Sequence, residues 1–158
     1  MSFIQVGQEL QQKLAQIYSK LENKTQLTST LERVLVSQTL QNFHSNGRPA
    51  WAGLSPVTLA LYRKQGIVPQ GILQRSPAGL RDSVQGDHDD ESASVGAGSG
   101  KSKAYAAIHQ FGGMAGRSQK VKIPARPYLP MDANGNLQSE AEDVIEYTAS
   151  VFLENAFQ

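Results

Sequence analysis

Two runs of helical periodicity, one at each end of the chain, enclose a middle that glycine and proline repeatedly interrupt. Over residues 1–24, Phe3, Leu10, Leu14, Ile17 and Leu21 fall on one helical face, and Gln5, Gln8, Gln11, Gln12 and Gln16 cover much of the rest. Over 137–157, Ser139-Glu140-Ala141-Glu142 reads as a capping box that opens a second such helix. Ala141, Val144, Ile145, Thr148, Val151 and Phe152 form its apolar face. A middle broken at that density cannot continue either helix. The layout predicts an α+β chain, with N- and C-terminal helices packed around a small, mostly antiparallel sheet.

Within the middle, Ser29-Thr30-Leu31-Glu32 reads as another capping box, starting a helix whose buried side is Leu31, Val34, Leu35 and Phe43. Asn46-Gly47-Arg48-Pro49 is a turn. Ser55 then caps a third helix with Pro56 at its first position, where the missing N–H costs nothing, and Gly66 ends it. Pro69, Gly71, Pro77 and Gly79 make 67–79 an irregular connection. Residues 80–84 and 92–95 read as two strands of a hairpin around an acidic loop. Residues 104–111 fit a short helix or a third strand, ended by Gly112-Gly113. Val121-Lys122-Ile123 alternates as a strand, and Pro124, Pro127 and Pro130 stiffen an extended arm after it. A length of 158 residues with 39% hydrophobic side chains closes one modest core, so a single domain over 1–158 is expected.

The net charge of +1 hides strong segregation. Residues 1–81 hold nine basic and three acidic side chains. Residues 82–96 hold five acids and no base, residues 97–131 six bases and no acid, and residues 132–158 six acids and no base. These blocks either neutralise one another within one fold or steer copies of the chain into a repeated head-to-tail contact. A nucleic-acid-binding module would want one net basic face instead. Zero cysteines exclude disulfide scaffolds, thiolate zinc sites and thiol nucleophiles. No apolar run approaches the roughly 18 residues of a membrane span, and no base precedes Lys13 to mark a signal peptide. The expectation is a soluble protein made in a cytoplasm.

Three segments invite chemistry. Gly96-Ala97-Gly98-Ser99-Gly100-Lys101-Ser102 ends like a phosphate loop, but the position of that motif's first glycine is Val95 and no amphipathic helix is expected after it. A surface loop is the expectation, not a hydrolase. His88-Asp89-Asp90-Glu91 sets ligand types side by side, yet neighbours on an extended loop point apart, so a solvated acidic loop is expected in place of a metal site. His44 and His109 have no serine elbow to serve and read as structural. Trp51, the only tryptophan, reads as a core anchor, with an interface anchor as the alternative. No catalytic group, cofactor or metal is indicated, so the chain is not expected to be an enzyme.

Several separated segments nevertheless converge on one family. They are Trp51-Ala52-Gly53-Leu54-Ser55-Pro56-Val57-Thr58, Ile72-Leu73-Gln74, Leu80-Arg81-Asp82-Ser83, Val95-Gly96, Tyr105-Ala106-Ala107-Ile108-His109-Gln110-Phe111-Gly112-Gly113 and Ile123-Pro124-Ala125-Arg126-Pro127-Tyr128-Leu129. In this order, over about residues 30–132, they resemble the virion morphogenesis or tail-completion family of Mu-like tailed bacteriophages. Ser76-Pro77-Ala78-Gly79 departs from the family's shorter step, and the two terminal helices lie outside the recognisable motifs.

The resemblance implies a structural protein of the phage neck or upper tail, acting in tail completion and head–tail joining. It implies a ring of six identical subunits around a channel that DNA crosses without sequence-specific binding. The neighbours would be neck, connector or tail-tube proteins, and the place the virion, assembled in the host cytoplasm with no membrane involved. A tail terminator ring is the alternative position, and a small nucleic-acid-binding module the alternative of a different class. On this reading Tyr105, Ile108 and Phe111 pack the sheet against a helix. Arg126, Pro127, Tyr128 and Trp51 are candidate subunit-interface residues, with Arg126 reaching a carboxylate of the same or an adjacent chain. Asp87, Asp89, Asp90 and Glu91 form a candidate channel-facing loop.

Overall fold

A computed structural model describes residues 8–75, 79–132 and 134–158, so Phe3 of the first stripe, Gln5 of its polar surround and Ser76-Pro77-Ala78 lie outside the described residues. The elements in chain order are α1 (Gln8–Glu22), α2 (Thr25–His44), α3 (Pro56–Lys64), β1 (Gln85–His88), β2 (Ala93–Gly96), α4 (Lys103–Phe111), β3 (Gly113–Ala115), β4 (Val121–Ile123) and α5 (Ser139–Phe157). The chain is α+β with helices at both ends, and its strands form two separate antiparallel hairpins, β1–β2 and β3–β4.

Helix α2 starts at Thr25, upstream of the capping box read from sequence, so Ser29 lies inside it. The box fails because its glutamate is engaged elsewhere: Glu32 Oε2 lies 2.7 Å from His88 Nδ1 on β1. The box at Ser139 fails too. Gln138 is the N-cap of α5, and no side chain there caps the helix. Gln138 instead accepts from Asn42 Nδ2 at 2.9 Å and donates to the Arg48 carbonyl at 2.6 Å. Helix α3 follows its signals, with the Ser55 hydroxyl accepting from the Thr58 N–H at 3.1 Å and Pro56 in the first turn.

The strand expected over 80–84 is a short 3-10 turn, Arg81–Ser83, and β1 begins after it. Ser83 explains the change, because its hydroxyl donates to the Leu80 carbonyl at 2.7 Å and accepts from the Gly98 N–H at 2.9 Å. A side chain that bonds its own backbone three residues back closes a turn instead of extending a strand. Leu80, at the start of this turn, is thereby delivered to the core at 1% exposure.

That core is small and aromatic. Phe43 from α2 is fully buried, meets Trp51 edge-on at 5.8 Å between centroids and stacks on Tyr128 at 5.6 Å. Leu80 and Ala106 complete the cluster. Such ring pairs are worth about 0.5–1.5 kcal/mol beyond their burial. Helix α5 packs on α2 and α1, and the β1–β2 hairpin packs on α2. Ala141 and Ala156 are the buried residues of α5, on the face the sequence assigns. On α1, Leu10 and Leu14 of the stripe remain largely exposed, so it is less covered than its periodicity suggests.

Candidate assembly surface

The proline arm at 124–130 is extended, so its backbone N–H and C=O groups must find partners outside a regular ladder. One glutamine serves two of the arm's N–H groups and the carbonyl that follows the arm. Gln110, buried on α4, accepts from the N–H groups of Tyr128 and Leu129 at 3.0 Å each and donates to the Met131 carbonyl at 3.2 Å. Trp51 Nε1 donates to the Pro127 carbonyl at 3.0 Å, and the Tyr128 hydroxyl donates to the Ala106 carbonyl at 3.2 Å. From the opposite side, Asn42 Nδ2 donates to the Tyr128 carbonyl at 3.1 Å. The turn between α4 and β3 brings the arm close: Gly112 has φ +72°, and a Cβ there would fall 2.8 Å from the Ala125 nitrogen. Only glycine fits.

Three of the four interface candidates are therefore interior. Trp51, Arg126 and Tyr128 are buried within one chain, and Pro127 is half-buried. Arg126 Nε and Nη2 donate to the carbonyls of Ala52 and Gly53 at 2.8 and 2.9 Å, not to a carboxylate. Any effect of these residues on a neighbour passes through the segment they hold. The packing role expected for Tyr105 and Phe111 is also corrected, because both are exposed, and the buried residues of α4 are Ala106 and Gln110.

Beside the arm, α3, α4 and β4 enclose a cleft of about 870 Å³. Arg75, Lys101, Lys122 and Arg126 contribute to its lining, and no described residue lining it is acidic. The Arg75 guanidinium sits 5.6 Å above the Tyr62 ring and donates to Gln65 Oε1 at 3.0 Å. His109 Nδ1, also on the wall, is buried with no hydrogen bond to any described residue.

The acidic residues 87–91 form one end of the β1–β2 hairpin, with Asp87 on β1 and the others leading into its turn. Asp89 Oδ1 accepts from the N–H groups of Glu91 and Ser92 at 2.8 and 2.7 Å, which holds its carboxyl below the usual carboxylate range. The turn is tied to α2: Thr25 Oγ1 bonds Asp90 Oδ1, and Thr28 Oγ1 donates to the Asp89 carbonyl at 2.6 Å. No cluster able to hold a metal occurs among the described residues. The glycine-rich run, contrary to expectation, does open onto an amphipathic helix, since its turn Gly100–Ser102 leads directly into α4. The Ser102 hydroxyl is nonetheless buried, 2.7 Å from the Ser99 carbonyl and 3.1 Å from Ser83 Oγ. The group a phosphate loop offers to a cation is turned into the core here.

The sequence model of the phage virion morphogenesis family matches residues 5–151. The chain belongs to this family. The match takes in α1 and most of α5, so family likeness extends well beyond the segments from which the resemblance is read. The chain is 33% identical to Mu-like prophage FluMu G protein 2 of Haemophilus influenzae, over 89% of this chain and 90% of that protein. It is also 33% identical to the putative capsid assembly protein G of Escherichia phage Mu, over 75% of each. No solved structure matches it.

In this member of the phage virion morphogenesis family, burial depresses the His109 pKa first, and the Arg126 charge depresses it further. The unfolded chain takes up a proton near the ordinary value of 6.5, which the folded chain refuses, so stability falls as pH drops through that value. Urea midpoints should therefore decline below pH 6.5 in wild type, and the decline should flatten in His109→Leu. Asp89 and Asp132 act at lower pH. Their lowered values give stability above the ordinary 3.8 that is lost as pH falls through the folded values. A slope between the two regions unchanged by His109→Leu would assign it to another group.

Proposed function

We propose that the chain is a non-enzymatic structural component of the virion neck or upper tail, acting in tail completion and head–tail joining as a closed ring of six copies. Membership of the phage virion morphogenesis family over residues 5–151 carries this reading. The putative capsid assembly role in the printed name of the phage Mu relative is consistent with work on the particle rather than on a substrate. In this reading the ring meets neck, connector or tail-tube neighbours and lets DNA pass without reading its sequence. The acidic hairpin end, with exposed Asp87 and Glu91, would face the channel, where like charge keeps DNA from sticking.

The deciding experiment removes the gene from its phage and examines lysates by electron microscopy, with mass spectrometry of purified wild-type particles. The expected result is unjoined heads and tails in the mutant, and the protein present in wild-type particles at a ring-like copy number. Joined, infectious particles without the protein would overturn the proposal. The purified chain should turn over no nucleotide, since the Ser102 hydroxyl that a phosphate loop would offer to a cation faces the core.

A further inference from the structure

The cleft between α3, α4 and β4 has an electrostatic problem that the chain does not solve by itself. Arg75, Lys101, Lys122 and Arg126 line it with no acid among the described lining residues. Arg126 is 6% exposed, and its guanidinium is satisfied only by neutral carbonyls, so its charge stands in a poorly solvated place without a counter-charge. Among the described residues the ion pair found is His88–Glu32, which lies elsewhere. A concavity lined by several cationic side chains and by no described acid is complementary to carboxylates.

The complementary surface is on the same molecule, facing another way. Helix α5 carries Glu140, Glu142, Asp143, Glu146 and Glu154 and no base. Its inner face rests on α2 and α1, and none of its residues lines the cleft. Residues 140, 143, 146, 147, 150, 153, 154 and 157 fall within one outward stripe at 100° per residue, and all are exposed. Tyr147, 71% exposed, stands among these carboxylates as an aromatic anchor of the type that dominates contact centres.

We infer that the cationic cleft of one subunit receives the acidic outer face of α5 from a second copy. Because cleft and helix are different surfaces, the contact is heterologous, the kind that repeats around a ring. Tyr147 enters between Tyr62 and Tyr105, and the carboxylates meet Lys101 and Lys122 at the rim. This inference rests on the ring reading above. It goes beyond it by assigning both halves of the subunit contact.

The test is sedimentation velocity of the full chain in low salt, where exposed charges act over more than the roughly 10 Å left at 0.1 M. Wild type should form a closed oligomer that added salt weakens. Lys101→Glu with Lys122→Glu, and separately Glu146→Lys with Glu154→Lys, should each weaken association about tenfold or more. All four residues are exposed, and a lysine at 154 suits the C-terminal end of a helix, so folding is spared; circular dichroism checks this. A chain carrying all four substitutions should regain association. Mixing the two double variants should restore a closed oligomer of alternating subunits, because each variant's cleft then matches the other variant's helix.

A wild-type chain that stays monomeric, or a fourfold variant that fails to recover, overturns the assignment. So does loss of binding to a labelled DNA duplex by the cleft variant with self-association unchanged, which would make nucleic acid the occupant. A protein found in particles yet monomeric in solution would sink this contact and leave the phage role standing.

Discussion

A Gly47→Ala chain is expected to lose about 3 kcal/mol or more of stability, a large share of the roughly 5–15 kcal/mol a domain has. Gly47 sits at φ +100°, and a Cβ there would lie 2.3 Å from Trp51 Cδ1 and 2.6 Å from Trp51 Cγ. The indole cannot retreat. It is held by its bond to the Pro127 carbonyl and by its edge contact with Phe43. The turn and the core would have to separate, so the midpoint of thermal unfolding should drop by about 10 °C. Gly66→Ala is the control. It also has a positive φ, +65°, but nothing lies within 4 Å of its Cβ position, so only the backbone cost of about 1–2 kcal/mol should appear. Equal losses in the two variants would show that the contact with Trp51 contributes nothing.

Asn42→Ala should cost about as much by a different route. Asn42 is fully buried, and its amide ties the turn just after α2 to the proline arm and to the start of α5, both distant in sequence. Its Nδ2 donates to the Tyr128 carbonyl and to Gln138 Oε1, and its Oδ1 accepts from Arg48 Nε at 2.8 Å. Alanine strands the partners in a place where each unmet group costs about 1–3 kcal/mol, more for the charged one. A total near 3 kcal/mol is expected because such penalties are not additive. Chemical denaturation of Asn42→Ala and Gln138→Ala, singly and together, would expose the shared bond as a coupling well above 0.5 kcal/mol. Simple additivity would mean the two amides act independently.

Sequence reasoning succeeded where a signal acts locally and failed where a side chain is engaged from afar. Ser55-Pro56 starts α3 as read, because capping needs only the next three residues. Ser29 lies inside α2, and α5 does begin at Ser139 but without its cap, since Glu32 answers to His88 and the chain before α5 is fixed by Gln138. Residues 104–111 allowed helix or strand. The helix places Gln110 beside Ala106 on the buried side, where its amide meets the arm. That inward amide was legible in principle: a proline arm needs bonding partners, and an amide four residues from a small apolar side chain is a candidate. Of the candidate interface, the positions were legible and the orientation was not. Arg126 and Tyr128 lie in the arm as expected, but the arm turns them inward, which composition and spacing do not encode.

Helix α2 begins without a side-chain cap and without an acid in its first turn, which leaves the positive end of its dipole unanswered by its own sequence. The acidic turn tied to Thr25 and Thr28 provides the answer from more than sixty residues away. Asp89 and Asp90 are thus a remote lid on the helix that carries Phe43 and Asn42, and the first turn of α2 can be no more persistent than the hairpin resting on it. A segment that looks from its charges like a free surface loop is, in folding terms, part of the same cooperative unit as the core.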